Sequence, residues 1–240
     1  MSSDLKNLLD EISEEINTIL NEKFKIEETD TVPEVADLSY DNKGKLLETA
    51  VLYIDIRDST DLTDEHTRET SAKIYKSFLN SMVNTAKFGK GKVRSFAGDR
   101  LMVLFDNTKG INPIYQAINT ALVMQGVVEI ILSSMVKSKY GREIHCGLGI
   151  DYGGMLVARV GSPRIREFND LIWAGSAANL ASKLTDSEFS GPGEIVITQE
   201  VFEKMPKDLY PEYWIESQVS LGGKIITIHK LQIQNIQLEF

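Results

Sequence analysis

Asp55 stands inside the apolar, β-prone run Thr49-Ala-Val-Leu-Tyr-Ile-Asp-Ile56, where a buried carboxylate is costly unless it has a partner. Asp99 follows Gly98 at a tight turn between two apolar runs, Val93 to Phe96 and Leu101 to Phe105. If these strands are neighbours, two carboxylates converge at one end of a sheet. Two acids in open geometry suit Mg²⁺ or Mn²⁺ when the phosphates of a nucleotide supply the remaining oxygens. Taken singly, Asp55 reads as well as a strand-end cap and Asp99 as a turn former; the pairing is what points to a metal. No Ser/His/Asp or Cys/His arrangement suggests a side-chain nucleophile.

Composition narrows the chemistry further. The 240 residues are 42% hydrophobic and 25% charged, ordinary for one large or two small globular domains. Lys and Arg number 26 against 35 Asp and Glu, a net charge of −9. That argues against sequence-independent nucleic-acid binding, which needs a basic footprint, but not against a nucleotide. The single cysteine, Cys146, excludes a disulfide framework and a cysteine-based zinc site. His66, His145 and His229 are scattered, which argues against a multi-histidine metal site. The acidic N-terminus lacks the basic and apolar regions of a signal peptide, and no run of about 18 apolar residues is expected to span a membrane. The expectation is a cytoplasmic protein.

The elements that position the two acids follow from periodicity. Residues 3–24 read as an amphipathic helix, Leu5, Leu8, Leu9, Ile12, Ile16, Ile19 and Leu20 forming its apolar face. That face packs on its own domain or on a second copy. Residues 25–47 read as a polar connector. After the Asp55 strand, Arg57-Asp58-Ser59-Thr60 breaks the pattern, and one helix is expected from about 61 to 88. A hairpin follows over residues 93–105, then a helix over 111–138, and a second hairpin over 144–160 turning at Asp151-Tyr-Gly-Gly154. A helix at 174–185, a strand at 194–198, a short helix and strands at 213–219 and 224–232 complete the chain. The pattern predicts an α+β fold with antiparallel pairing, with residues 1–47 as N-terminal helix and connector and residues 48–240 as one domain.

Four blocks now stand in order: Tyr53-Ile-Asp-Ile-Arg-Asp-Ser-Thr60, Phe96-Ala-Gly-Asp99, Gly147-Leu-Gly-Ile-Asp-Tyr-Gly-Gly154 and Trp173-Ala-Gly-Ser-Ala-Ala-Asn-Leu-Ala-Ser-Lys183. Together, over residues 48–230, they resemble the class III nucleotidyl cyclase catalytic domain. The resemblance implies a ferredoxin-like, antiparallel-rich sheet flanked by helices, and a head-to-tail homodimer with active sites at the interface. It implies two divalent metal ions (Mn²⁺ or Mg²⁺) on Asp55 and Asp99, with the Ile56 carbonyl also facing a metal. Backbone N–H groups of Arg57, Asp58, Ser59 and Thr60 would hold the triphosphate at a helix start. Asn179, from the other subunit, would orient the ribose. Where relatives place a transition-state arginine this chain has Lys183, which keeps the charge but loses the bidentate fork. Lys224, after Leu221-Gly-Gly223, matches a late lysine that reaches the triphosphate in relatives, but reads more readily as an exposed hairpin residue.

The base-reading positions depart from the purine pattern. Ser95 and Ile172 stand where adenylate cyclases of this kind place a lysine and an aspartate or threonine, and the guanylate pair is absent too. Tyr53, two residues before Asp55, shares its sheet face. By the resemblance it lies near the base pocket, where it would fill space a purine needs or bond a smaller ring, and it reads as well as a core tyrosine. The Asp-Ile-Arg-Asp-Ser-Thr run and the Gly-Asp-Arg100 turn resemble the pyrimidine cyclases of Pycsar antiphage systems. That implies conversion of UTP or CTP to a cyclic monophosphate, which activates a separate effector protein. The competing readings are an adenylate or guanylate cyclase with unusual base contacts, and a degenerate domain that only binds nucleotide or dimerises. A diguanylate cyclase of the same fold lacks its Gly-Gly-Asp/Glu-Glu-Phe block here.

Overall fold

The computed structural model describes residues 3–107, 110–162 and 165–231. The chain opens with α1 (Ser3–Asn21), β1 (Lys25–Glu28), β2 (Lys43–Ile56), α2 (Ser59–Glu65) and α3 (Arg68–Phe88). Then come β3 (Lys92–Ala97), β4 (Arg100–Phe105), α4 (Pro113–Gly126), a π-helical stretch (Val127–Leu132) and α5 (Ser133–Tyr140). It continues through β5 (Cys146–Ser162), β6 (Ile165–Ala174), α6 (Ser176–Leu184), β7 (Ile195–Thr198) and α7 (Gln199–Lys204), and closes with β8 (Ile215–Leu221) and β9 (Lys224–Leu231). These belong to two compact units.

The larger unit holds residues 30–32 and 47–155 and the described chain from Gly175 on. Its strands run in the order β3-β4-β2-β5-β7-β9-β8. β2 with β4, β3 with β4, β7 with β9 and β8 with β9 are antiparallel; β5 with β7 is parallel. Alternation in β2 decides which side carries chemistry. Ala50, Leu52, Ile54 and Ile56 join Phe78 and Met82 of α3 and Ala117, Ile118 and Ala121 of α4 in one core. Tyr53 and Asp55 therefore face the other way. The α+β class with an antiparallel-rich sheet and an N-terminal helix is as expected.

The smaller unit holds the described part of residues 1–29, with 33–46 and 156–174. β1 pairs in parallel with the first residues of β2, from Lys25 opposite Lys43 to Glu28 opposite Leu46. The polar connector expected at 25–47 thus contains strand. β6 pairs antiparallel with the outer half of β5. Arg159 stacks over the Tyr40 ring, its guanidinium carbon 4.0 Å from the centroid, and donates to the Leu38 carbonyl at 3.1 Å.

Two further expected elements need correction, and one strand was missed. The helix over 61–88 is two helices, because Thr67 is extended and its hydroxyl accepts the Thr70 N–H, capping α3 anew. No hairpin turns at Asp151–Gly154: a two-residue hairpin turn needs positive φ, which neither Gly153 nor Gly154 has, and β5 runs through unbroken. β6 was not expected, since Arg166-Glu-Phe-Asn-Asp170 has no apolar alternation. The last residue of the strand expected at 224–232 lies outside the described residues. The helical stretch Pro113–Tyr140 is long and apolar enough to cross a membrane by length and composition alone. Its Ala117, Ile118, Ala121, Met124, Val128 and Leu132 lie in the core of the larger unit, which accounts for that composition.

Candidate active site

Asp55 ends the polar face of β2, and the register carries it to its neighbour. Ile54 lies opposite Leu101, so the next position on β4 opposite Asp55 is Arg100. Arg100 donates from Nε and Nη2 to the same oxygen, Asp55 Oδ2, at 3.0 and 2.6 Å. Asp99 precedes it in the β3–β4 turn, where Gly98 has φ +67° and meets nothing that a side chain would touch. Its negative charge lies close enough to raise the pKa of Asp55. Burial is the larger cause of that upward shift, and the Arg100 hydrogen bond opposes it.

Each carboxylate has one buried oxygen without a hydrogen bond, Oδ1 of Asp55 and Oδ2 of Asp99. Buried, hard, anionic oxygens left over on two neighbouring carboxylates are a donor set that fits a divalent cation. Ile56 buries its side chain in the core, so only its backbone is available to such an ion.

The turn after β2 is fixed from several directions. The Arg57 N–H donates to the His145 carbonyl at 2.9 Å. Its guanidinium donates to the Thr185 carbonyl and to Ser190 Oγ. Of the four backbone donors expected for a triphosphate, that of Arg57 is therefore already engaged, which leaves Asp58, Ser59 and Thr60. Asp58 adopts a left-handed conformation with φ +52°. Arg142 Nη2 donates to the Asp58 carbonyl at 3.2 Å, and the Tyr75 hydroxyl to the Ser59 carbonyl at 2.9 Å. Neither Tyr75 nor Arg142 stands out in the sequence, because each acts from a helix or loop remote in the chain.

Beside the acids, three strands align one residue each. Tyr53 of β2 and Ser95 of β3 both lie opposite Met102 of β4. The Tyr53 hydroxyl meets Met102 Sδ at 3.0 Å, and burial pushes its phenol pKa up. Met102 was not singled out from sequence; the register through Asp55 and Arg100 finds it. Ile172 lies on β6, exposed, in the smaller unit. Lys224 opens β9 beyond a hairpin turn in which Gly222 and Gly223 have φ +57° and +78°.

α6 rests on β5 at Gly149, where a β-carbon would meet Leu184 Cβ at 2.8 Å and collide with the Ala181 carbonyl. Ala177, Ala178, Ala181 and Leu184 are buried beneath it. Asn179 and Lys183, four residues apart, share the exposed side. Within one chain the residues that α6 and its C-terminal turn send toward Asp55 are Ser182 and Asp186, both bonded to Arg100. Among the described residues no cluster of three or more His, Cys, Asp or Glu forms a self-contained metal site.

Comparison with known proteins fits this geometry. A family model described as adenylate and guanylate cyclase catalytic domain matches residues 42–232. The uridylate cyclase of Burkholderia cepacia is 32% identical over 221 residues, 86% of this chain and 92% of its own length. That of Gulbenkiania mobilis is 28% identical and covers 92% of both chains. Among solved structures, the adenylyl cyclase CyaB of P. aeruginosa superposes with TM-score 0.67 at 21% identity, over 82% of this chain and 99% of that one. The guanylyl cyclase Cya2 gives TM-score 0.68 at 18% identity over the same shares. At these identities the structures speak for the fold.

Proposed function

The chain belongs to the adenylate and guanylate cyclase catalytic domain family, and from that premise we propose that it is a pyrimidine nucleotide cyclase. It converts UTP or CTP to the 3′,5′-cyclic monophosphate and pyrophosphate. The observation that carries this reading is the pair of neighbouring carboxylates, Asp55 and Asp99, each with a buried oxygen that has no hydrogen bond, with Tyr53 two residues before Asp55 on the same strand. Two relatives named uridylate cyclase, similar over most of the chain, support the choice of base.

Asp55, Asp99 and the Ile56 carbonyl would hold two divalent ions, Mn²⁺ or Mg²⁺, whose chemistry is to lower the pKa of the ribose 3′-hydroxyl and neutralise the leaving pyrophosphate. The N–H groups of Asp58, Ser59 and Thr60 bind the triphosphate. Asn179 and Lys183 reach from the exposed face of α6 into the site of a second copy, where Asn179 orients the ribose and Lys183 balances charge on the α-phosphate. The 3′-oxygen attacks the α-phosphorus in line, loses its proton to solvent, and the bond to the bridging oxygen of pyrophosphate breaks. Tyr53, Met102 and Ser95 line the base pocket, Arg100 lies at its edge, Ile172 keeps the base-reading role that the family resemblance implies, and Lys224 helps to hold the triphosphate. The catalytic domain spans 48–240, preceded by an N-terminal helix and connector.

The protein works in the cytoplasm as a homodimer, in contact with neither membrane nor nucleic acid. Its product is a second messenger for a separate effector in antiphage defence. The test is to incubate the purified chain with Mn²⁺ and each of the four nucleoside triphosphates and identify the product by mass. A cyclic pyrimidine monophosphate is expected; a cyclic purine product replaces this reading with an ordinary purine cyclase, and no product with a binding module.

A further inference from the structure

One guanidinium joins the metal-binding strand to the helix that carries Asn179 and Lys183. Arg100 places Nε and Nη2 on Asp55 Oδ2. From the same group Nη1 donates to Ser182 Oγ at 2.7 Å and Nη2 to Asp186 Oδ1 at 3.1 Å. Ser182 lies in the last turn of α6 and Asp186 just beyond it. The Arg100 and Asp55 side chains are 26% and 18% exposed, so water weakens their attraction less than on an open surface.

A cation therefore already sits on the carboxylate that the cyclase reading assigns to a divalent ion. A guanidinium and a divalent cation on the same oxygen repel, and the oxygen's lone pairs cannot serve both fully. We propose, resting on that reading, that Arg100 is a reversible counter-cation: it occupies Asp55 while the carboxylates are without metal and withdraws when they take it. Since the same side chain holds Ser182 and Asp186, its withdrawal loosens the C-terminal turn of α6. Arg100 is thus a positioning residue that ties the state of the acids in one strand to the helix presenting Asn179 and Lys183.

The test needs no turnover. Mn²⁺ affinity of the full chain is measured without nucleotide, at fixed pH, from the electron paramagnetic resonance of free Mn²⁺. Amide hydrogen exchange of residues 182–186 is followed in parallel. Arg100→Gln is expected to bind Mn²⁺ about tenfold tighter than wild type. In wild type Mn²⁺ accelerates exchange at 182–186, whereas in Arg100→Gln exchange there is fast from the start and Mn²⁺ leaves it unchanged. Ser182→Ala with Asp186→Asn, which removes only the α6 anchor, is expected to tighten Mn²⁺ binding severalfold and covers the case in which Arg100→Gln fails to fold. Affinity unchanged or weakened in both variants, with Asp55→Asn still abolishing binding, overturns the counter-cation. Mn²⁺ binding that survives Asp55→Asn in the wild-type background overturns the metal assignment itself, and the counter-cation with it.

Discussion

Gly147 is the floor on which the Arg57 guanidinium rests: a β-carbon at 147 would collide with Arg57 Nη2 and come within 2.6 Å of the Thr185 carbonyl. Arg57 donates to that same carbonyl and to Ser190 Oγ, so the glycine lets one arginine tie the end of β2 to the turn after α6. Gly147→Ala is expected to destabilise the fold by about 1–3 kcal/mol through overpacking. Calorimetry reads this as a melting temperature lower by several degrees. An unchanged melting temperature would mean that Arg57 moves aside without loss.

Much of this site is legible in the sequence, and for a reason. Period-two alternation places Tyr53 and Asp55 together whatever surrounds them, and Gly98 marks the turn that brings Asp99 back. What escaped was set by partners distant in the chain. Gly153 and Gly154 look like a turn locally but are extended within β5. β6 has no apolar alternation of its own and is ordered by pairing with the outer half of β5. Tyr75, Met102 and Arg142 became visible only when strand register and helix packing placed them beside the site. The pairing of Arg100 with Asp55 follows from the register between β2 and β4, which no local pattern in the sequence sets.

Asp151 offers a pH-dependent check of burial. It is 5% exposed, and desolvation raises its pKa although Thr198 Oγ1 and the Tyr152 N–H both donate to its Oδ1, at 2.6 and 2.8 Å. An acid with a raised folded pKa binds more protons folded than unfolded. Its charge therefore lowers stability as pH rises from about 3.9 through the folded value. Asp151→Asn keeps an acceptor for both donors and carries no charge. Relative to wild type its melting temperature is expected to be higher at neutral pH, with the difference vanishing in acid. A difference that does not depend on pH would mean that the carboxylate is not ionised against its surroundings.

Asp55→Ala and Asp99→Ala are each expected to lower product formation by roughly a thousandfold or more. Neither should unfold the chain. Removing one of two mutually repelling carboxylates relieves strain, and Arg100 keeps Ser182 and Asp186 as acceptors when Asp55 is lost. Product assays and thermal melts on both variants separate loss of chemistry from loss of fold. Wild-type turnover by either variant would remove that residue from the site.

Asn179 and Lys183 sit on the exposed face of α6, so the proposed site needs a second copy. Neither Asp55→Ala nor Asn179→Ala should cyclise nucleotide alone. In a mixture, heterodimers contain one site with both acids and one asparagine intact. Up to about half of the wild-type activity per such heterodimer is expected to return, since one of its two sites is whole. Subunit exchange is confirmed separately by mass. If exchange occurs and activity does not return, the two residues act in the same chain.

The base preference rests on the row Tyr53, Met102 and Ser95. In the proposed pocket a tyrosine whose hydroxyl reaches Met102 Sδ would occupy width that a purine needs, and Ser95 would supply neither charge nor reach for an adenine edge. A site built around hydrogen bonds can reject an analogue that leaves its groups unpaired by roughly 4–7 kcal/mol, and steric exclusion by a ring adds to that. UTP or CTP is therefore expected to have a kcat/KM far above those of ATP and GTP. Tyr53→Ala should shrink the pyrimidine-to-purine ratio by about tenfold or more while leaving Mn²⁺ affinity within about twofold, because the ring lies beside the carboxylates and holds neither. Ser95→Lys with Ile172→Asp should raise ATP use only slightly while Tyr53 remains, and more when combined with Tyr53→Ala. The decisive comparison is kcat/KM for four nucleotides on wild type, Tyr53→Ala, the double variant and the triple variant. A wild-type preference for ATP or GTP would mean that the tyrosine leaves room for a purine and that the base is read elsewhere.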